Sequence, residues 1–166
     1  MIAGVDIGVR SFAIVGSEGP KDEPLFYFYE IPKGKSRYEE LRDLVSTFRD
    51  LTCDEDYLFV EEPPLAGGRN IRTFAALNQT VGAILSATTA QSYLVPVDSW
   101  KKATVGKGGV GKELVGQWLR LHHPGVWAEC DGNQNLMDAA CIAHYGFTVV
   151  RGSGNLAISW DVDLPV

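Results

Sequence analysis

No stretch of this sequence stays apolar long enough to cross a bilayer, which excludes a membrane-spanning helix. Cysteine is scarce: Cys53, Cys130 and Cys141 are odd in number and show no Cys-x-x-Cys spacing. That excludes a disulfide framework and predicts reduced thiols in a cytoplasmic protein. Histidine is equally scarce, and the spacing of His122, His123 and His144 relative to the cysteines fits no common zinc site. Positive charge is in deficit, with 15 Lys and Arg against 21 Asp and Glu, a formal net charge of −6. Generic, charge-driven binding to nucleic acid is therefore disfavoured. The opening Met1-Ile2-Ala3-Gly4-Val5-Asp6 lacks a basic region and reaches an acid early, unlike a secretory signal. Repeats, linkers and low-complexity segments are also missing.

What is present suits one α/β domain over residues 1–166, with enough apolar residues for a real core. Ile2 to Val5, Phe12 to Val15 and the aromatic run Leu25 to Ile31 read as three consecutive strands. Ser36 with Glu39 three residues later is a capping box, opening a helix with the stripe Leu41, Leu44, Val45, Phe48 and Leu51. Tyr57 to Glu61 reads as a fourth strand, stopped by Pro63-Pro64. A long helix from about Ile71 to Thr89 follows, studded with small residues that suit either packing on the sheet or a helix–helix dimer contact. Tyr93 to Val97 reads as a fifth strand, and Asp98-Ser99-Trp100 as a short helical turn. A glycine-rich loop, Val105 to Lys112, leads into a helix that ends at Pro124. The last helix is expected to open at Asp131-Gly132-Asn133. Residues 146–166 read as a C-terminal β-hairpin, its second arm alternating Leu156, Ile158, Trp160, Val162 and Leu164. The order β-β-β-α-β-α-β-α-α predicts a mixed sheet flanked by helices.

Three carboxylates stand at junctions of this pattern. Asp6 and Glu61 each end an apolar strand, and Asp138 interrupts a helix otherwise made of Ala, Ile, Leu and Met. A buried acid is costly unless something pairs with it. Carboxylates meeting from two strand ends and a helix suit a hard ion such as Mg²⁺, which takes oxygen ligands and leaves coordination sites for water and phosphate oxygens. The chemistry indicated is phosphodiester chemistry. Glu61 and its neighbour Glu62 point to opposite faces of a strand, so one of them joins Asp6, and Glu61 continues the strand directly. Asn135, one turn before Asp138, is an oxygen ligand or an orienting group. Asp131 shares a helical face with Asp138 if the helix starts early enough, or else serves as an N-cap. Lys101, Lys102, Lys107 and Lys112 form an acid-free basic stretch between Ser99 and Lys112, and Arg69 and Arg72 form a smaller basic group after Glu61.

Gly4-Val5-Asp6-Ile7-Gly8, Val60-Glu61-Glu62 with its following loop and long helix, and Asp138-Ala139-Ala140-Cys141-Ile142-Ala143 together resemble the RuvC-type Holliday junction resolvases of the RNase H-like superfamily. The similarity runs from Met1 to about His144, and Val105 to Lys112 resembles that family's glycine- and lysine-containing loop near the DNA. The resemblance implies an RNase H-like fold and a homodimer that cuts two opposed strands of a four-way DNA junction. It implies Mg²⁺, or Mn²⁺ as substitute, as two ions per site held by Asp6, Glu61 and Asp138. Lys107 and Lys112 would then meet phosphates or the scissile region, and Arg69 the junction centre. The family usually carries an acid or a histidine where this chain has Asn135, with Asp131 a more distant substitute. It often places an aromatic wedge where this chain has Pro63-Pro64-Leu65.

Two rivals compete with this reading besides a sugar-kinase or actin-like ATPase, which also starts with an Asp-x-Gly strand turn but normally needs two such domains. Gly106 to Lys112 satisfies most of a nucleotide-binding loop, but Glu113 follows where Ser or Thr should hold Mg²⁺. An RNase H-like module that binds branched DNA without cutting it is the other.

Overall fold

The computed structural model describes residues 1–18, 22–52, 57–63 and 70–150. Five strands, β1 (Ile2–Ile7), β2 (Ser11–Ser17), β3 (Leu25–Glu30), β4 (Tyr57–Glu61) and β5 (Gln91–Val95), form one sheet in the order β3-β2-β1-β4-β5. β1, β2 and β3 are an antiparallel meander, and β4 and β5 run parallel to β1. The helices are α1 (Arg37–Leu51), α2 (Ile71–Ala87), α3 (Val97–Val105), α4 (Lys112–His122), α5 (Pro124–Glu129) and α6 (Gln134–Val150). This is the expected mixed sheet with helices on both faces. Among the described residues no helix is long and apolar enough to cross a membrane.

Strand alternation divides the core in two. Ala3, Val5, Ile7, Leu58 and Val60 face α1 and α2, meeting Leu44, Phe48, Val81 and Ile84. Ile2, Ala13, Val15, Phe59 and Val95 face α6 and its neighbours α3 and α4. The Ser36–Glu39 capping box starts α1, with both reciprocal hydrogen bonds present. Buried Glu40 on α1 pairs with Arg10 at 2.7 Å. Arg37 donates to the Val9 carbonyl at 2.8 Å and the Ala76 carbonyl at 2.7 Å. These bonds tie the turn after Asp6 to α1 and α2.

α6 is buried on nearly all sides, as its composition requires. It lies against β1 so closely that a Cβ built on Gly4 would stand 2.1 Å from the Ala139 carbonyl oxygen and 2.2 Å from the Ala143 nitrogen. Glycine is required there for close backbone approach, not for an unusual dihedral.

Three expectations need correction. Phe147 to Val150 are the last turn of α6, not the first arm of a hairpin. Phe147 is 1 % exposed in the α6-side core, and that packing overrides the strand preference of Thr148, Val149 and Val150. The second arm, at residues 156–164, lies outside the described residues. Pro124 does not merely end α4, because it begins a further short helix, α5, with proline in its first turn. The turn at Asp98-Ser99-Trp100 is the first turn of α3, a nine-residue helix.

Gly4→Ala should lower unfolding free energy by about 3 kcal/mol or more, because backbone on α6 cannot yield as a side chain would. Urea denaturation of the two proteins checks this, and an unchanged midpoint would contradict the close packing of α6 on β1.

Candidate functional site

The site forms at one end of the sheet, where β1 and β4 finish side by side. Val5 pairs with Val60, so Asp6 and Glu61 follow as neighbours on adjacent parallel strands. Glu61 alternates with Val60 and shares the α6 face with Phe59, and Asp6 shares it with Gly4. Asp138 projects from the second turn of α6. The three carboxylates act on one another electrostatically. Burial, then repulsion from Glu61 and Asp138, pushes the Asp6 carboxyl up to about 7, with Lys112 opposing the shift. Burial and Asp138 push Glu61 up, against Trp100, Lys101 and Lys112. Burial also pushes Asp138 up, against Gln134, Lys112 and Lys101.

Two neutral side chains hold two of these acids. The indole Nε1–H of fully buried Trp100 donates to Glu61 Oε2 at 3.2 Å. Gln134 Nε2 donates to Asp138 Oδ1 at 2.8 Å. Sequence reasoning missed both. The spacing of Gln134 from Asp138, one helical turn, was a usable signal. A buried tryptophan needs a partner for its N–H, but nothing local to Trp100 identifies Glu61. Among the described residues no three His, Cys, Asp or Glu side chains converge tightly enough to cage an ion by themselves.

The other candidates are spread around this centre. Asn135 is half-buried on the first turn of α6, its N–H bonded to Asn133 Oδ1 at 3.0 Å. Asp131 is exposed in a left-handed turn (φ 46°) before α6 begins, so it shares no helical face with Asp138. Nor does it cap the helix. Asn133 does, accepting also from Leu136 N–H at 3.4 Å. The N–H of Glu62 donates to the Val95 carbonyl at 2.9 Å, just past the end of β4. Lys112 is exposed at the first position of α4, and Lys102 and Lys107 are exposed on α3 and the following loop. Lys101 donates to the Val110 carbonyl at 3.1 Å and lies over the Trp100 ring. Arg72 is exposed on the first turn of α2, and Arg69 lies outside the described residues.

The glycine-rich loop joins α3 to α4, whereas a nucleotide-binding loop needs a strand before it. Its Gly109 N–H is already bonded to Asp98 Oδ1 at 2.8 Å. Trp118 and His122 on α4, His123 just after it and His144 on α6 pack as tilted and edge-on rings, with centroids 5.0 to 5.3 Å apart. Burial, then His123 and His122, pushes His144 down to about 4, so it is neutral at pH 7.

The raised Asp6 carboxyl makes a signed prediction. Its folded value near 7 exceeds the ordinary 3.8, so between these values the folded state holds the extra proton. Stability is lost as pH rises through that window, and the loss is complete above about 7. Asp6→Asn removes the ionisation and should be more stable than wild type at pH 8 without divalent ions. The limit of the gain is on the order of 4 kcal/mol, and it should fade towards pH 4. Thermal unfolding of both proteins across that range checks this, and a pH-independent difference would contradict the assigned cause.

No family model matches the chain, and no curated protein matches it. Solved structures do. RuvC of Thermus thermophilus in complex with a Holliday junction substrate superposes with a TM-score of 0.72 at 21 % identity, covering 90 % of this chain and 94 % of that one. A second Thermus thermophilus RuvC structure gives 0.67 at 20 % identity, over 92 % and 96 %. The chain has the RNase H-like fold seen in RuvC.

Proposed function

We propose that this protein is a structure-specific endonuclease that resolves four-way DNA junctions, hydrolysing phosphodiesters in two symmetrically opposed strands with a divalent metal. The observation that carries this reading is the meeting of Asp6, Glu61 and Asp138 at one end of a RuvC-like sheet, with Lys112 acting on all three. Thermus thermophilus RuvC, which shares the fold, has been captured on a Holliday junction substrate.

The donor set fits a hard divalent cation. It consists of carboxylate oxygens, with Asn135 as a further oxygen donor, and burial, joined at Asp6 and Glu61 by like charge, raises the acids towards protonation. A cation relieves the same strain without a proton. Mg²⁺, or Mn²⁺ in its place, would complete its shell with water and substrate phosphate oxygens. Two bound ions would polarise the scissile phosphate and lower the pKa of an attacking water.

The chain's own residues supply position and charge. Trp100 fixes one oxygen of Glu61 and Gln134 one oxygen of Asp138, so each acid keeps a second oxygen for the cations. The Lys112 ammonium offsets negative charge that develops on the phosphate. Under this reading Lys101, Lys102, Lys107, Arg69 and Arg72 would contribute contacts to the DNA backbone, where binding reads shape rather than base edges. A homodimer matches the two-fold symmetry of the junction and makes the two cuts equivalent. The outer face of α2, where Gly82 opens onto free space, offers small residues for a second copy.

An end-labelled immobile four-way junction, set beside linear duplex, tests the reading. Paired nicks on opposed strands should require Mg²⁺ and vanish with EDTA. Asp6→Asn, Glu61→Gln and Asp138→Asn should each slow cleavage by a factor on the order of 10³ or more while retaining junction binding. Binding without cutting in either metal would assign the chain to non-catalytic junction recognition. Neither binding nor cutting would remove the proposal.

A further inference from the structure

α3 carries side chains directed two ways. Towards the sheet, Trp100 holds Glu61. Towards the glycine-rich loop, Asp98 Oδ1 accepts from the Gly109 N–H at 2.8 Å and Lys101 Nζ donates to the Val110 carbonyl at 3.1 Å. The loop is otherwise anchored by the Gly106 N–H on the Lys102 carbonyl at 3.1 Å and by the buried Val110 side chain. Gly106 and Gly109 adopt positive φ (81° and 68°), and a Cβ on either would meet nothing within 4 Å. Gly108 is the exception, because a Cβ there would lie 3.1 Å from Asp98 Oδ1, so this residue sits directly against the clamping carboxylate.

Lys112 begins α4 immediately after this loop, and α4 has no side-chain cap of its own, its N-cap being Gly111. A long, exposed lysine on an uncapped first turn is held in place only as well as the backbone leading to it. Two of the loop's last residues before Gly111, Gly109 and Val110, are the two that α3 grips.

We propose that Asp98 is a positioning residue, seconded by Lys101, which clamps the 106–111 loop so that Lys112 faces the three carboxylates. α3 then links both sides of the site, setting Glu61 through Trp100 and Lys112 through the loop. The role assigned to Lys112 rests on the junction-cleaving reading. The clamp itself does not.

Asp98→Ala and Asp98→Asn separate the roles of this side chain. Both lose the negative charge in the first turn of α3, but the asparagine amide oxygen can still accept from Gly109. Amide hydrogen exchange needs no substrate: the Gly109 amide should exchange roughly tenfold faster in Asp98→Ala and near the wild-type rate in Asp98→Asn. Far-UV circular dichroism establishes that both variants are folded. In single-turnover junction cleavage Asp98→Ala should be slower by roughly tenfold, with Asp98→Asn close to wild type. Placed in Lys112→Ala, Asp98→Ala should add less than about a twofold loss, since both changes remove one contribution. Unchanged Gly109 exchange overturns the clamp. An asparagine variant as impaired as the alanine variant overturns it too, as do rate losses that multiply in the double variant. If the wild type neither binds nor cuts junctions, the junction-cleaving reading has failed, and the exchange of Gly109 and Lys112 amides alone decides the clamp.

Discussion

Three carboxylates held in one half-buried space repel each other, and the chain around them is arranged so that they cannot move apart. Asp6 and Glu61 are locked by the parallel pairing of β1 with β4. Asp138 is locked because α6 packs backbone to backbone on β1 at Gly4, leaving no room to slide or lift. Relaxation by strand slippage would turn the alternating faces inside out and bury polar groups in both cores. Burial therefore remains in the fold as raised carboxyl pKa values in all three, with repulsion adding to it at Asp6 and Glu61. A site that stores unfavourable charge is poised to take up positive charge, whether as a proton, an ammonium group or a metal ion.

Apart from Gln134, the supports of this site come from elements that do not contain the acids. Arg10, Arg37 and buried Glu40 tether the turn after Asp6 to α1 and α2. The indole of Trp100 reaches Glu61 from α3, and Gln134 reaches Asp138 from the preceding turn of α6. Each support is a neutral hydrogen-bond donor or a charge already paired elsewhere. Neutral donors orient a carboxylate without cancelling its charge, which is the requirement if that charge is to act on something else.

Much of this was legible in the sequence, and the failures have physical causes. The strands and α1 were readable because apolar runs, alternation and a capping box are local signals. Asp6, Glu61 and Asp138 were conspicuous because an acid at the end or inside of an apolar element demands explanation. Asp131 misled because the reading assumed a helix that began earlier, whereas Asn133 caps α6 and leaves Asp131 outside it. Phe147 to Val150 misled because β-branched residues favour strands in isolation, and only the core around Phe147 makes them helical. The Trp100 bond to Glu61 spans 39 residues and leaves no trace in local pattern. Local chemistry marked the acids, and helical spacing could have marked Gln134, while the hold of Trp100 on Glu61 belongs to tertiary structure.

The net charge of −6 remains the fact most at odds with a polyanionic partner. The arrangement of charge answers it. A share of the acidity is concentrated in the carboxylate site, where bound cations would neutralise it, and the stretch from Ser99 to Lys112 carries four lysines without an acid. One of these, Lys101, is partly spent on the Val110 carbonyl, whereas Lys102, Lys107 and Lys112 are exposed. So small a basic surface gives weak non-specific attraction to duplex DNA, since that attraction scales with the number of phosphates neutralised. Under the proposed junction-cleaving reading, weak general attraction to duplex is an advantage. Selectivity then has to come from a substrate whose shape brings phosphates to both the lysines and the carboxylates at once, as the centre of a branched junction does for a two-fold dimer.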